Sequence, residues 1–186
     1  MSRFFSQKYS SLEPYTPGEQ PKDAQYNKLN TNESPFAPLP AVVEAAQAAA
    51  SRLQLYSDPT CSSLISKLSE IYGVDPACII AANGSDETLY FSFLAFCDAD
   101  HPAAFPDITY GFYPVFAEFT GVPYEEIPLK DDFTIDINDY IGINKTIFIA
   151  NPNAPTGICL PPSDFGKSLQ SNPVTMATID ERNVDS

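Results

Sequence analysis

Residues 145–160 read KTIFIANPNAPTGICL, Lys145 to Leu160. Thr146 to Ala150 is a short, apolar, β-branched run, the pattern of a strand buried on both faces of a parallel sheet. It runs straight into Asn-Pro-Asn-Ala-Pro-Thr-Gly. Pro152 and Pro155 cannot continue a central strand, and they push the residues before them toward extended geometry. Gly157 supplies the freedom for a sharp turn. A buried strand that stops in a stiff polar loop puts that loop at the carboxyl edge of a sheet, where open α/β proteins bind ligands.

Working outward, Pro161-Pro162-Ser163 opens a helix to about Leu169, and Val174 to Ile179 reads as a last strand ending in Asp180-Glu181. Upstream, Ala103 to Phe105 is a brief strand, Gly111 or Phe112 to Phe119 a helix, and 122–127 another strand. Residues 78–82, CIIAA, are expected to form a strand as well. Asn83 to Glu87 then makes a turn, and Thr88 to Cys97 continues as an apolar helix. Strand, Gly-Ser turn and helix together present N–H groups and a positive helix end to an anion. Strands alternating with helices from residue 78 onward predict a mainly parallel α/β sheet with flanking helices. Before them, Pro40 opens a helix to about Leu55, and Thr60 is placed to cap a second, Cys61 to Tyr72. Residues 1–39 are polar and proline-punctuated and read as an extended arm. The expected division is an arm at 1–39, a helical linking part at 40–75 and a sheet domain at 76–186.

Hydrophobic residues at 44% and charged residues at 18% leave ample material for a core. A formal net charge of -14 argues against nucleic acid, since no basic patch is available to neutralise phosphates. Cys61, Cys78, Cys97 and Cys159 are widely spaced, and His101 is the single histidine, so no metal site is expected. Buried or half-buried free thiols are expected, and they fit a reduced, cytoplasmic setting. No apolar run approaches the length of a membrane span.

Four segments, in order, carry a resemblance: Lys28-Leu-Asn-Thr-Asn-Glu-Ser-Pro35, Asn83-Gly-Ser-Asp-Glu87, Phe105-Pro-Asp-Ile-Thr-Tyr110 and Asn151-Pro-Asn-Ala-Pro-Thr-Gly157. Together they resemble the fold-type I pyridoxal phosphate enzymes, and within them the histidinol-phosphate aminotransferase family. The resemblance implies a truncated fold-type I α/β architecture and pyridoxal 5'-phosphate as cofactor. It implies that Gly84, Ser85 and Asp86 hold the cofactor's phosphate, that Tyr110 stacks on its ring, and that Asp180 keeps its pyridine nitrogen protonated. It also implies that Tyr56 reaches the phosphate of a neighbouring subunit in a homodimer, and that Asn32 lies near the substrate.

Departures from the family pattern shape the expectation of activity. The Schiff-base lysine belongs to a Ser-x-x-Lys segment downstream, and none of Lys8, Lys22, Lys28, Lys67, Lys130, Lys145 or Lys167 stands in that context. No catalytic residue is therefore assigned, and this stretch by itself is expected to be inactive and marginally stable. Ala154 occupies the place of an asparagine that holds the cofactor's phenolic oxygen, leaving Asn153 as the candidate substitute. Arg182 and Asn183 stand where the family has alanine and tyrosine. Two other readings share these motifs: another fold-type I enzyme acting on an amino acid or its phosphate, and a non-catalytic half-subunit that pairs with a complete aminotransferase. A dinucleotide-binding domain is disfavoured because no Gly-x-Gly-x-x-Gly follows a strand.

Overall fold

The computed structural model describes residues 4, 6–9, 23, 27, 33–173 and 175–181. It divides into two units, Met1–Glu13 with Ala82–Ser186, and Pro14–Ala81.

The larger unit is built on four parallel strands, β1 (Ala103–Pro106), β2 (Tyr124–Ile127), β3 (Thr146–Ala150) and β4 (Ala177–Asp180), in the order β2-β1-β3-β4. The chain leaves β1 on one side for β2 and returns on the other for β3. The sheet therefore reverses its winding between β1 and β3, and their carboxyl ends flank the crevice where such sheets take ligands. Every residue of β3 is buried, as its continuous apolar run requires of a strand covered on both faces.

Alternation divides the core between the two faces. Ala103, Phe105 and Phe148 point to one side, where Leu89 and Phe93 of helix α3 (Gly84–Phe96) and Tyr113, Phe116 and Ala117 of helix α4 (Phe112–Thr120) cover them. Ala104, Ile147 and Ile149 point to the other, packing with Ile127, Ile135, Ile137 and Tyr140, and with Phe165 of helix α5 (Pro162–Ser171) at the margin. The expected parallel sheet with flanking helices is thus observed. On the α4 side Tyr9 stacks on Phe119, with centroids 5.0 Å apart and planes at 16°.

Among the described residues the smaller unit holds two α-helices, α1 (Pro40–Ala50) and α2 (Ser62–Tyr72), neither of which buries a residue. Three expectations need correction in detail. The segment 78–82 is not a strand: Pro76–Cys78 forms a 3-10 turn, and Ile79 is extended but pairs with no described strand. Extended geometry becomes a strand only with a hydrogen-bonded neighbour. The helix after Asn83 starts at Gly84, not Thr88, so the Gly-Ser segment is its first turn. Thr60 does not cap α2; its hydroxyl donates to Asp58 Oδ1 at 2.7 Å.

Asp58 instead gathers the start of α2. Its carboxylate accepts the N–H groups of Thr60 (2.9 Å) and Ser62 (2.8 Å) and both their hydroxyls. These bonds, that from the Ser62 hydroxyl foremost, hold it well below the usual carboxylate range. Because the folded pKa lies below the unfolded one, the stabilisation is present above about pH 4 and lost as pH falls through the folded value. D58A is expected to lose hydrogen-exchange protection at the Ser62 amide at neutral pH. Wild type should do so only in strong acid, and equal protection in the two would contradict the role.

The thiols correct the expectation of burial: Cys61, Cys78 and Cys159 are exposed, and Cys97 alone of the four is half-buried. Burial pushes the Cys97 thiol up to about 11, against the opposing effect of the Thr146 hydroxyl. At pH 8 its thiolate is then about one part in a thousand. Titration with an aromatic disulfide should modify the three exposed thiols first and the fourth at least about tenfold more slowly, until denaturant equalises them. Four equal rates in the folded protein would refute this.

Among the described residues no helix is long and apolar enough to cross a membrane, and no cluster of His, Cys, Asp and Glu could hold a metal ion.

Candidate functional site

The carboxyl ends of β1, β3 and β4 share one edge of the parallel sheet, and each leads into a segment singled out by its sequence. Beside this edge, α3 begins with Gly84 at φ +80, a left-handed conformation that favours glycine. A Cβ built there meets nothing within 4 Å, so the space beside the turn is open. Asn83 does not cap the helix. Its N–H and side-chain amide both donate to Glu87 Oε2, at 2.7 and 3.1 Å. The other acid of this turn, Asp86, accepts the hydroxyl of Tyr110 on Oδ1 at 2.6 Å. Both carboxylates thereby accept from donors of the protein, and the first-turn N–H groups of a helix present a positive end.

Tyr110 lies in the loop after β1. Its ring stacks on Phe112 (5.6 Å, 20°) and meets Tyr113 edge-on (5.7 Å, 80°). The Tyr113 hydroxyl donates to Asp180 Oδ2 at 3.3 Å. Asp180 ends β4 and is only 9% exposed, so its carboxyl group sits in a largely dry setting. Contacts thus run without a break from Asp86 through Tyr110 and Tyr113 to Asp180, joining the start of α3 to the end of β4.

The loop after β3 is drawn into the same edge. Asn151 ties its two ends together: Oδ1 accepts from Leu160 N (2.7 Å), Nδ2 donates to Leu160 O (3.2 Å), and its own N–H donates to Asp180 O (2.8 Å). Asn153 is 2% exposed. Its Oδ1 accepts the Thr109 hydroxyl at 2.8 Å, and Nδ2 donates to Ile108 O at 2.9 Å and to Thr156 Oγ1 at 3.3 Å. The side chain is occupied in fastening this loop to the one that carries Tyr110. The peptides before Pro152 and Pro155 are cis.

Of the residues singled out by sequence, Gly84, Ser85, Asp86, Tyr110, Asn153 and Asp180 fall in this edge. Tyr56 is fully exposed in the other unit. Asn32, Arg182 and Asn183 lie outside the described residues. Sequence reasoning passed over Tyr113 and gave Thr109 and Asn151, though both lie in the segments that carry the resemblance, no role of their own. For Tyr113 a signal existed: it stands three residues after Tyr110, across the first turn of α4, where two side chains can share a side.

The sequence profile described as Aminotransferase class I and II matches residues 24–174. The chain is 47% identical over 186 residues to a histidinol-phosphate aminotransferase of Brachyspira hyodysenteriae, covering 100% of this chain and 52% of that protein. With a histidinol-phosphate aminotransferase of Clostridium acetobutylicum it shares 45% identity over 186 residues, covering 53% of that protein. The chain spans about half the length of the curated relatives it matches. The crystal structure of histidinol-phosphate aminotransferase from Sinorhizobium meliloti in complex with pyridoxal-5'-phosphate superposes with a TM-score of 0.75 at 27% identity. That match covers 81% of this chain and 42% of the other.

Proposed function

This chain belongs to the class I and II aminotransferase family, and from that premise we propose that its 186 residues are the cofactor-cradling part of a histidinol-phosphate aminotransferase. The reaction proposed for the whole protein is amino transfer between L-histidinol phosphate and 2-oxoglutarate. The observation that carries the reading is the unbroken run of contacts from the start of α3 to Asp180 along one sheet edge.

The donor set fits pyridoxal 5'-phosphate at each end. The first-turn N–H groups of α3, at Ser85 and Asp86, would hold the phosphate, and Gly84 leaves room for it. Tyr110 would cover a face of the ring. The Asp180 carboxylate, shielded from water, would favour a proton on the ring nitrogen by pairing with its charge. When bound, the cofactor supplies an electron sink for the amino-acid carbon that loses its proton. Asn153 we assign to loop fastening, since its amide is already occupied by Thr109, Ile108 and Thr156. A second copy is the proposed partner, with the exposed Tyr56 reaching toward it, in a cytoplasmic setting.

Fluorescence titration with pyridoxal 5'-phosphate tests the cradle. Saturable binding is expected, without retention of cofactor on the denatured chain after borohydride reduction. G84V combines a strained left-handed valine, at about 1–2 kcal/mol, with a side chain in the open space. It should weaken binding at least about tenfold. Binding unchanged in G84V, or none in wild type, would defeat the proposal.

A further inference from the structure

We propose that Tyr113 is a positioning residue whose hydroxyl sets the Asp180 carboxylate for the cofactor's ring nitrogen, an inference that rests on the reading of Asp180 given above. Tyr113 is 0% exposed, in the first turn of α4. Its ring is fixed on three sides, by Phe105 at 5.7 Å, Phe148 at 5.9 Å and Tyr110 at 5.7 Å between centroids. Every one of these contacts is ring against ring, so phenylalanine would satisfy them equally well. These three ring contacts make no use of the hydroxyl, and burying it costs free energy unless it is paired.

The hydroxyl points to the place where a donor has most effect. At 3.3 Å it makes a long hydrogen bond to Oδ2 of a carboxyl that is itself nine-tenths buried, where low local polarity raises the worth of such a bond. With the phenol ring held by its neighbours, a bond to Oδ2 biases the rotation of the carboxyl group, and so the direction in which it accepts from a protonated ring nitrogen. The same ring supports the edge of Tyr110. One residue thus orients both the acid at the ring's nitrogen and the aromatic side chain at its face.

The test compares two ligands on the whole chain: pyridoxamine 5'-phosphate, and its 1-deaza analogue in which a C–H replaces the ring nitrogen. Wild type should prefer the nitrogen-bearing ligand. Y113F should lose about tenfold of that preference while its affinity for the deaza analogue stays within about twofold, because the analogue makes no use of the carboxylate's direction. A purely structural role would weaken both ligands alike, and that result would overturn the inference. D180A separates the two levels of the argument. A preference lost in D180A but intact in Y113F overturns the role of Tyr113 alone. A preference intact in D180A, or no binding of either ligand to wild type, overturns the underlying reading of Asp180 and the inference with it. Should Y113F fail to fold, wild type carrying tyrosine labelled with 13C at Cζ gives the answer. The Tyr113 resonance should move further with pyridoxamine 5'-phosphate than with the deaza analogue, and equal movement would overturn the proposal.

Discussion

F148A is expected to cost the larger unit about 3–5 kcal/mol, enough to unfold it or leave it without fixed packing. Phe148 is 0% exposed in the middle of β3, which is an inner strand of the sheet. Its ring stacks on Phe93 at 4.1 Å and 10°, and meets Tyr113 at 5.9 Å. The cavity left by alanine would open between the sheet and α3, both of which are held by other contacts and can collapse only partly. In a unit of this size each kcal/mol moves the melting temperature by about 4–8 °C. Thermal or urea unfolding followed by circular dichroism should therefore show a fall of at least about 12 °C. A fall of under about 3 °C would mean that Phe148 is not a core residue.

The second large effect is expected at Asn153. Alanine there removes three side-chain hydrogen bonds at once, and it leaves the Ile108 carbonyl and the Thr109 hydroxyl without their Asn153 partner in a part-buried setting. The penalty for buried groups left unpaired is about 1–3 kcal/mol each, partly relieved where water can enter, so a total of about 2–4 kcal/mol is expected. The effect on ligand binding should exceed the effect on stability, because the bonds join the loop bearing Tyr110 to the loop after β3. N153D sharpens the test. A carboxylate can still accept from Thr109 but cannot donate to Ile108, so N153D should be destabilised as well. Melting of N153A indistinguishable from wild type would show that the two loops are held by other means.

Elements governed by local rules could be read from the chain alone. The apolar run at 146–150 and the Pro161-Pro162 start of α5 depend on neighbouring residues, and the structure places both where their composition implies. What escaped reading depends on partners distant in sequence. Residues 79 and 80 have the composition of a strand, but whether they form one is decided by a neighbour that no local pattern specifies. Asn153 sits among residues typical of a ligand loop; only its burial reveals that its amide reaches across 44 and 45 residues to Thr109 and Ile108. Tyr113 reads as one more aromatic in FYPVF, and its hydroxyl acquires meaning only when β4 brings Asp180 to it, 67 residues later.

The winding of the sheet has a kinetic side. β1 with β2, and β3 with β4, are each joined by a single crossover helix and registered along four residue pairs. Between β1 and β3 only Ala103↔Thr146 and Ala104↔Ile147 are in register. Closing that seam brings together positions 43 residues apart, and the entropy of loop closure must be met before its contacts give any return. The two halves are then expected to form early and the seam last, with amides along it exchanging faster than those inside either half. The crevice lies at this last-closed join. A ligand that grips both sides of it would act as a late folding partner, slowing the unfolding of the join more than it speeds the formation of either half.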